Sequence, residues 1–262
     1  IEAEAKSLKN SKIDSVLVVC GEDPEYLTVD FIEETIQILK KFFSSISLEI
    51  FPLDTAAYER LVKAGASGLL VYQETYDRKL YDSLHSGPKK DFIFRLESAS
   101  RAAEAGFHKI GLGVLLGLKN WIYDAAAMAV HAEWLRKKFW KTAIQFSFPR
   151  IREPGTNFKT PNPVGENELE RMMLAFRIAF PSEEISISTR ENCEFRNRVV
   201  SSCATMMSAA SKVTPGAYSG LSNNGLGQFE IKDTREVSDI CSDLKNSGLD
   251  PVMKDWDIAL GF

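Results

Sequence analysis

The sequence has few residues of the types that bind metals, and their spacing is wrong for a metal site. It contains three histidines and four cysteines, and the cysteines are Cys20, Cys193, Cys203 and Cys241. Such wide and irregular spacing fits neither a CxxC metal knuckle nor a disulfide framework. The cysteines are therefore interpreted as reduced thiols of a cytoplasmic protein, and the chain itself is predicted to bind no metal.

Long apolar runs and a large net charge are also absent. No apolar run approaches the roughly 20 residues of a membrane-spanning helix, so the sequence predicts no membrane segment. The formal net charge of −4 gives no reason to expect nucleic acid or an anionic membrane as a partner. With 262 residues, the chain is long enough to bury a sizeable core. No low-complexity linker divides it, so a single domain over residues 1–262 is expected.

The sequence does contain a regular alternation of predicted strands and helices. Apolar runs too short for helices are followed by segments in which apolar residues recur at helical spacing. The predicted strands cover residues 15–20, 48–52, 69–73, 109–113, 143–148, 184–188 and 204–208. The predicted helices include residues 1–10, 31–42, 54–65, 91–106, 121–138, 166–179 and 191–200, and a last helix ends before Gly248. Strict alternation of this kind predicts a parallel sheet.

The number of strand–helix units favours a barrel. Eight units close a (βα)8 barrel of about 250 residues, whereas about seven are visible here after the end of a helix at residues 1–10. We therefore expect an α/β fold, a (βα)8 TIM-type barrel whose first βα unit lies upstream of Ile1. An extension is expected from about residue 209. A doubly wound sheet is the alternative, because it requires no particular number of strands.

Polar residues follow the predicted strands, where the site of a barrel lies. The stretch at residues 68–96 shows this most clearly: a buried strand ends in Gln73 and Glu74, and Arg95 lies early in the next helix. Residues at corresponding places are Gly21, Glu22, Gly111, Gly113, Gly117, Arg150, Arg152, Ser188, Thr189, Arg190, Glu191, Ser208 and Ser211. Charges of both signs suit a ligand with an amine, a carboxylate and hydroxyls. They lack the paired carboxylates or the Ser/His/Asp pattern of a hydrolase. Ordinary connections with solvated charges are the alternative interpretation.

The glycines and histidines near these positions carry weaker signals. Gly111 and Gly113 do not complete a GxGxxG phosphate loop. They are explained by the close approach of a flat ring to the backbone or by tight packing. Among the histidines, His85 lies in a long predicted loop and could reach the site, whereas His108 and His131 are expected to be structural.

Several segments, in order along essentially the whole chain, resemble a known family. The segments are VYQETY (71–76), GPK (87–89), RL (95–96), GLG (111–113), LLGL (115–118), FPR (148–150), STRE (188–191), MSA (207–209), PG (215–216), QF (228–229) and KDWD (254–257). They resemble the radical S-adenosylmethionine aromatic amino acid lyases, and most closely the tyrosine lyases of bacterial thiazole (thiamine) biosynthesis.

The resemblance implies a radical S-adenosylmethionine barrel with a specific chemistry. A 4Fe-4S cluster reductively cleaves S-adenosylmethionine, and the resulting radical takes a hydrogen atom from the amino group of L-tyrosine. The Cα–Cβ bond then breaks to give 2-iminoacetate and p-cresol. The implied partners are L-tyrosine and thiazole synthase, which receives the 2-iminoacetate.

The resemblance also implies roles for individual residues around the cofactor. Gly21 and Glu22 would hold the amino group of S-adenosylmethionine, and Glu74, with Gln73, would accept hydrogen bonds from the ribose hydroxyls. Arg95 would pair with the methionine carboxylate, for which a guanidinium is suited. The adenine would be lined by Gly111, Gly113 and Leu115.

For the substrate, the resemblance implies that Arg190 and Ser208 hold the carboxylate of tyrosine. Arg150 is a weaker candidate for the same anion or for the cofactor. A salt bridge at the rim of the barrel is the alternative for each of these residues. The resemblance assigns no acid–base catalyst.

One departure from the family concerns the cluster. Its cysteines follow the first strand in CxxxCxxC spacing, and no such motif occurs here. This absence agrees with the missing first unit, and the chain alone is expected to be inactive. One alternative is the related tyrosine lyase of hydrogenase maturation, which carries a second cluster on C-terminal cysteines, whereas no cysteine follows Cys241 here. Another is a barrel remnant without catalytic activity.

Overall fold

The computed structural model describes residues 1–23, 25–151, 159–221 and 230–253. In these ranges the strands are β1 Ser15–Val19, β2 Ser45–Glu49, β3 Gly68–Leu70, β4 Lys109–Gly113, β5 Ala143–Ser147, β6 Glu184–Ile187 and β7 Met206–Met207. The helices are α1 Glu2–Asn10, α2 Val29–Leu39, α3 Thr55–Ala64, α4 Arg78–Leu84, α5 Phe92–Leu96, α6 Ser98–Glu104, α7 Trp121–Lys138, α8 Glu166–Ala179, α9 Cys193–Val200 and α10 Val237–Asn246. None of these helices is long and apolar enough to cross a membrane.

The sheet confirms the predicted parallel arrangement. Within the described ranges it has seven strands in the order β1 to β7, and each neighbouring pair is parallel. A doubly wound sheet reverses its strand order at a switch point, and this order has no reversal. The described strands therefore form a partial barrel, with β1 and β7 as its edges.

The two faces of the sheet differ in chemistry because side chains alternate along each strand. The outer face carries buried apolar residues such as Leu48, Ile110 and Phe146, which form one core with the helices. Phe146, for example, packs edge-on against Phe176 of α8 with ring centroids 4.7 Å apart. The inner face carries small or polar residues, and Ser147 hydrogen-bonds there to a serine of β6 at 2.5 Å. The interior of the partial barrel is therefore polar.

Helix boundaries follow their capping residues. The carboxylate of Asp54 accepts a hydrogen bond from the backbone N–H of Ala57 at 2.8 Å at the start of α3, as predicted from sequence. The helix ends at Gly65, whose φ of 123° lies in a region that side chains disfavour. The bounds of α7 and α8 agree with the prediction.

Several elements differ from the sequence prediction, and β3 (Gly68–Leu70) and β7 (Met206–Met207) are shorter than predicted. Strand β2 begins at Ser45, whereas it was predicted to begin at residue 48, because its alternating polar residues face the barrel interior and hide the apolar run. The stretch predicted as a long loop before Asp91 contains α4, which buries Tyr81 and is capped by Asp77. In addition, the predicted helix at residues 91–106 divides at Glu97 into α5 and α6. Arg152 and the segments at 228–229 and 254–257 lie outside the described residues.

Candidate cofactor and substrate site

The chain leaves β3 with an uncommon backbone conformation at Glu74. Its φ of 67° lies in the left-handed region, which residues other than glycine rarely adopt. Two backbone hydrogen bonds to the end of β4 and the residues that follow it hold Glu74 there. The N–H of Gln73 donates to the carbonyl of Gly113 at 3.0 Å, and the N–H of Leu115 donates to the carbonyl of Glu74 at 2.8 Å. Such outliers often mark functional positions.

The residues after Glu74 are anchored by a buried carboxylate in the first turn of α7. Asp124 Oδ1 accepts hydrogen bonds from the Thr75 hydroxyl at 3.0 Å and from the N–H of Tyr76 at 2.8 Å. Burial raises the pKa of the Asp124 carboxyl, although both hydrogen bonds act against this. The position of Glu74 is therefore fixed on both sides.

Two cations face the Glu74 carboxylate. The Nζ atom of Lys89 lies 2.8 Å from Glu74 Oε1, and Nη2 of Arg95 lies 3.7 Å from the same oxygen. Lys89 belongs to a 3₁₀ turn over Gly87–Lys90, and Arg95 belongs to α5. These two elements bring cations from the connection after β3 back to the end of that strand.

Arg95 is only 9% exposed, yet its guanidinium is incompletely paired. Its Nε donates to the carbonyl of Tyr72 at 2.8 Å. Its buried Nη1, and the buried Nε2 of Gln73, have no hydrogen-bond partner in the part of the chain that the structure describes. A buried donor without a partner is costly. An anionic ligand at this point would satisfy the arginine.

A pocket of about 250 Å³ opens beside these residues. It joins polar groups that follow different strands: Glu22 after β1, and Lys89 and Arg95 after β3. Its other lining residues are Phe51, Pro52, Pro88, Asp91 and Phe94. Gly21 lies next to it in an open position, where an added Cβ atom would meet no atom within 4 Å among the described residues.

The inner face of the sheet holds a second polar cluster. The side chain of Tyr72 lies close enough to Glu49 and Ser147 to influence their electrostatics. Burial raises the pKa of Glu49, while the nearby Tyr72 and the charge of Arg190 act against this. Burial also raises the pKa of Tyr72 well above its usual range. Arg190 interacts electrostatically with both Glu49 and Glu74. Its positive charge therefore acts on this cluster and also on the carboxylate beside the pocket.

The glycines of β4 make room for side chains of the protein itself. A Cβ atom on Gly113 would lie 2.4 Å from Cδ1 of Tyr72, and one on Gly111 would lie 2.3 Å from Cγ of Leu70. Tight packing therefore accounts for both glycines, and at Gly113 the ring that approaches the backbone is that of Tyr72.

Arg190 and Ser208 lie at the carboxyl ends of neighbouring strands. Because Ile187 of β6 is paired in register with Met207 of β7, the two residues follow their strands at the same edge. The N–H of Ser208 donates to the carbonyl of Ile187 at 3.1 Å. Ser208 is exposed and Arg190 is half-buried.

Arg150 has a different environment from the other candidates. It is 5% exposed and forms a bidentate ion pair with Glu191, in which Nε donates to Oε1 at 2.9 Å and Nη2 donates to Oε2. Its Nη1 donates to the carbonyl of Val164 at 2.8 Å. All three nitrogens therefore donate to protein groups.

His85 caps the end of α4. Its ring stacks on that of Tyr81 with centroids 4.0 Å apart, and Nδ1 lies 2.9 Å from the carbonyl of Tyr81. Burial lowers the pKa of His85. His131 contacts the hydroxyl of Tyr76 through Nδ1 at 2.9 Å, which is a structural contact behind the Glu74 loop.

Three residues of this region, Lys89, Glu49 and Tyr72, were not predicted from the sequence. Lys89 belongs to the GPK motif, but no function was predicted for it. Glu49 was missed because β2 was predicted three residues too late, which placed Glu49 near the start of the strand and not at its carboxyl end. Tyr72 had no signal of its own, because an aromatic residue in an apolar run is normally a core residue.

In the described residues, no group of three or more histidine, cysteine, aspartate or glutamate side chains could hold a metal ion. The described residues therefore do not fit an iron–sulfur cluster.

Comparisons with known proteins agree with the fold and the family motifs. The family model of the Biotin and Thiamin Synthesis associated domain matches residues 141–250. The whole chain is 36% identical to the 2-iminoacetate synthase of Salmonella typhimurium and covers 70% of that protein. The crystal structure of the hydrogenase maturase HydG matches with a TM-score of 0.93 and 30% identity, covering 99% of this chain and 58% of that one. The chain thus spans less than two thirds of HydG.

Methylornithine synthase (PylB) matches with a TM-score of 0.72 and 21% identity over 100% of this chain and 75% of that one, which supports the fold alone. The identity of 36% to 2-iminoacetate synthase, over the whole chain and 70% of that protein, is by contrast high enough to show the family. The chain belongs to the 2-iminoacetate synthase family.

Proposed function

We propose that this chain is the barrel portion of a radical S-adenosylmethionine lyase that cleaves the Cα–Cβ bond of L-tyrosine. The products are 2-iminoacetate and p-cresol, and the 2-iminoacetate serves thiazole and thiamine biosynthesis. The observation that carries the proposal is the pocket at the carboxyl ends of the strands. There Arg95, beside Glu74, Lys89 and Glu22, has a buried nitrogen without a hydrogen-bond partner among the described residues. Family membership over the whole chain supports the same reaction.

The residues of the pocket fit S-adenosylmethionine. The carboxylate of its methionine part suits Arg95 and Lys89, and its ammonium group suits Glu22. Glu74, oriented by its backbone and by Lys89, offers carboxylate oxygens to ribose hydroxyls, and Leu115 lies beside it. Bound S-adenosylmethionine supplies the hydrogen-atom abstraction chemistry of this family. The residues of the chain bind the cofactor and orient it.

For the substrate, we propose that Arg190 and Ser208 hold the carboxylate of tyrosine. A positive charge and a hydroxyl at the same edge of the sheet suit a carboxylate, and both follow strands next to each other. Holding the substrate by its carboxylate fixes its amino group relative to the cofactor. Such positioning is the main contribution of a protein when the cofactor supplies the reactive group. Arg150, which is engaged by Glu191, contributes to this end of the barrel as a rim ion pair.

The proposal extends to the iron–sulfur cluster, the partner protein and the location. Because the described residues offer no ligand group for a 4Fe-4S cluster, we do not expect turnover by this chain alone. Thiazole synthase is the proposed recipient of 2-iminoacetate. A cytoplasmic location is supported by the four free cysteines.

The second candidate is a tyrosine lyase of hydrogenase maturation. The TM-score of 0.93 to HydG favours it. The identity of 36% to a 2-iminoacetate synthase, compared with 30% to HydG, favours thiazole biosynthesis.

Calorimetric titration of the chain with S-adenosylmethionine and with L-tyrosine tests the proposal. Replacing Arg95→Lys removes the unpartnered nitrogen and should weaken S-adenosylmethionine binding about 10- to 100-fold, because a hydrogen bond to a charged group is worth about 1.5–3 kcal/mol. Arg190→Lys should weaken tyrosine binding and leave the cofactor unaffected. Arg136→Lys, on the exposed surface of α7 and paired with Glu133, is the matched control.

Absence of S-adenosylmethionine binding by the wild-type chain would contradict the proposal. Equal affinities of the wild type and the Arg95→Lys variant would contradict the role of that arginine. Loss of binding in the Arg136→Lys control would indicate general damage to the fold.

A further inference from the structure

The two residues proposed to hold the tyrosine carboxylate lie on separate loops, and a buried ion-pair network joins these loops. On the Arg190 side, the carbonyl of Thr189 accepts hydrogen bonds from the backbone N–H groups of Lys232 at 2.9 Å and Asp233 at 3.2 Å. Asp233, far along the chain, is therefore attached to the residue that precedes Arg190.

On the Ser208 side, the connection runs through Arg196 of α9. This side chain has 0% exposure. Its Nη1 donates to Oδ2 of Asp233, and its Nη2 donates to the backbone carbonyl of Ser208. Since the N–H of Ser208 donates to Ile187 at 3.1 Å, both the amide and the carbonyl of Ser208 are held. The guanidinium of Arg196 thus connects Ser208 to Asp233, the residue whose backbone binds Thr189.

The outer end of the network keeps Asp233 in place. Arg235 donates to Asp233 through Nε, 2.9 Å from Oδ1, and through Nη2, 2.5 Å from Oδ2. Burial raises the pKa of Asp233, but the hydrogen bonds from Arg235 and the charge of Arg196 outweigh it and lower that pKa to about 2. Asp233 is therefore ionised at neutral pH.

A network of this kind is a poor means of stabilising a fold. Removing two charges from water costs as much as their attraction returns, and apolar residues of similar volume are often at least as stabilising. What a planar guanidinium provides is geometry, because its nitrogens bind two acceptors at a fixed separation. Here the two acceptors are the backbone carbonyl of Ser208 and the carboxylate of Asp233, whose backbone N–H donates to Thr189.

We propose that Arg196 and Asp233 are positioning residues that set the separation of Arg190 and Ser208 and thereby the affinity of the site for an amino acid carboxylate. The inference rests on the proposed function, in which Arg190 and Ser208 bind that carboxylate. Neither Arg196 nor Asp233 contacts the ligand itself. Their effect is transmitted through the backbone at Thr189 and Ser208.

Calorimetric titration of the chain with three probes separates this role from a purely structural one. The probes are L-tyrosine, tyramine, which lacks the carboxylate, and S-adenosylmethionine. Arg196→Lys keeps the charge but cannot bridge both acceptors, so it should weaken tyrosine at least 10-fold and leave the other two affinities unchanged. Arg198→Lys is the matched control and should leave all three affinities unchanged, because Arg198 lies on the same helix but pairs with Glu170 outside the network.

Each possible result of these titrations either supports or overturns the inference. Tyrosine affinity of the Arg196→Lys variant equal to that of the wild type overturns the inference and leaves the proposed function intact. An equal loss for all three probes assigns the network to the fold and also overturns the inference. If the wild-type chain binds S-adenosylmethionine but not tyrosine, the tyrosine site of the proposed function fails together with the inference.

A second variant covers the case in which Arg196→Lys does not fold. Asp233→Asn is nearly isosteric and removes the charge that holds Arg196, so it should give the same selective loss of tyrosine affinity. Unchanged tyrosine binding in a folded Asp233→Asn variant overturns the inference.

Discussion

The stability of the fold should fall sharply below pH 6.5 because of His131. This residue lies in α7, with its ring edge-on to Tyr76 and its Nδ1 2.9 Å from the hydroxyl of that residue. Burial lowers the pKa of His131 from 6.5 to about 4, since the charged ring would be poorly solvated there. In the unfolded chain the ring is exposed and titrates near its ordinary value.

The sign and size of the effect follow from linkage. Between pH 6.5 and about 4 the unfolded chain binds a proton at this position and the folded chain does not, so acid favours unfolding. The two pKa values differ by about 2.5 pH units, and each unit is worth about 1.4 kcal/mol. His131 should therefore lower the free energy of unfolding by up to about 3 kcal/mol between pH 7 and pH 4. Above pH 7 it should have no pH-dependent effect.

Urea unfolding at several pH values between 7.5 and 4, followed by circular dichroism, measures this effect when the wild type is compared with His131→Asn. Asparagine can place a polar atom near the position of Nδ1 but does not titrate. Carboxylates titrate in both proteins and cancel in the difference. The difference in unfolding free energy should change by about 3 kcal/mol in favour of the variant at low pH. A difference that stays constant across this range would refute the assigned burial of His131.

Three further predictions concern the barrel interior and the pocket. Gly113→Ala should destabilise the fold by about 1–3 kcal/mol, because the added atom collides with Tyr72, whereas Gly21→Ala, in open space, should be tolerated; thermal unfolding measures both. Glu49→Gln should stabilise the protein more at pH 8 than at pH 4, since a buried carboxyl with a raised pKa loses stability as pH rises; equal effects at both values would contradict this. Lys89→Gln should weaken S-adenosylmethionine binding less than loss of the pocket arginine, because the lysine side chain is 36% exposed and the arginine 9%; titration calorimetry decides.

The sequence predicted the fold well where local patterns and tertiary structure agree. The strand order, the parallel pairing and the bounds of α7 and α8 follow from apolar periodicity and capping residues. Strand β2 was misplaced because Ser45, Ser47 and Glu49 face a polar barrel interior, so apolar content was not a guide to burial there. Helix α4 was missed because it has only seven residues and mainly buries Tyr81.

The candidate site was only partly predictable. Residues that directly follow strands could be named, and Glu22, Glu74 and Arg95 do lie around one pocket region. The partners that give these residues their environment come from other parts of the chain. The contact of Arg196 with Asp233 bridges 37 positions and leaves no trace in local sequence. Neither burial nor an unpartnered nitrogen, as at Arg95, can be read from spacing.

We propose that the pocket beside Glu74 binds the methionine end of S-adenosylmethionine. A crystal structure of the chain with S-adenosylmethionine tests it most directly. We expect the carboxylate of the methionine part to lie within hydrogen-bond distance of Arg95 Nη1 and the ammonium group to face Glu22. A ligand bound elsewhere, with Arg95 Nη1 paired to a protein group, would contradict it.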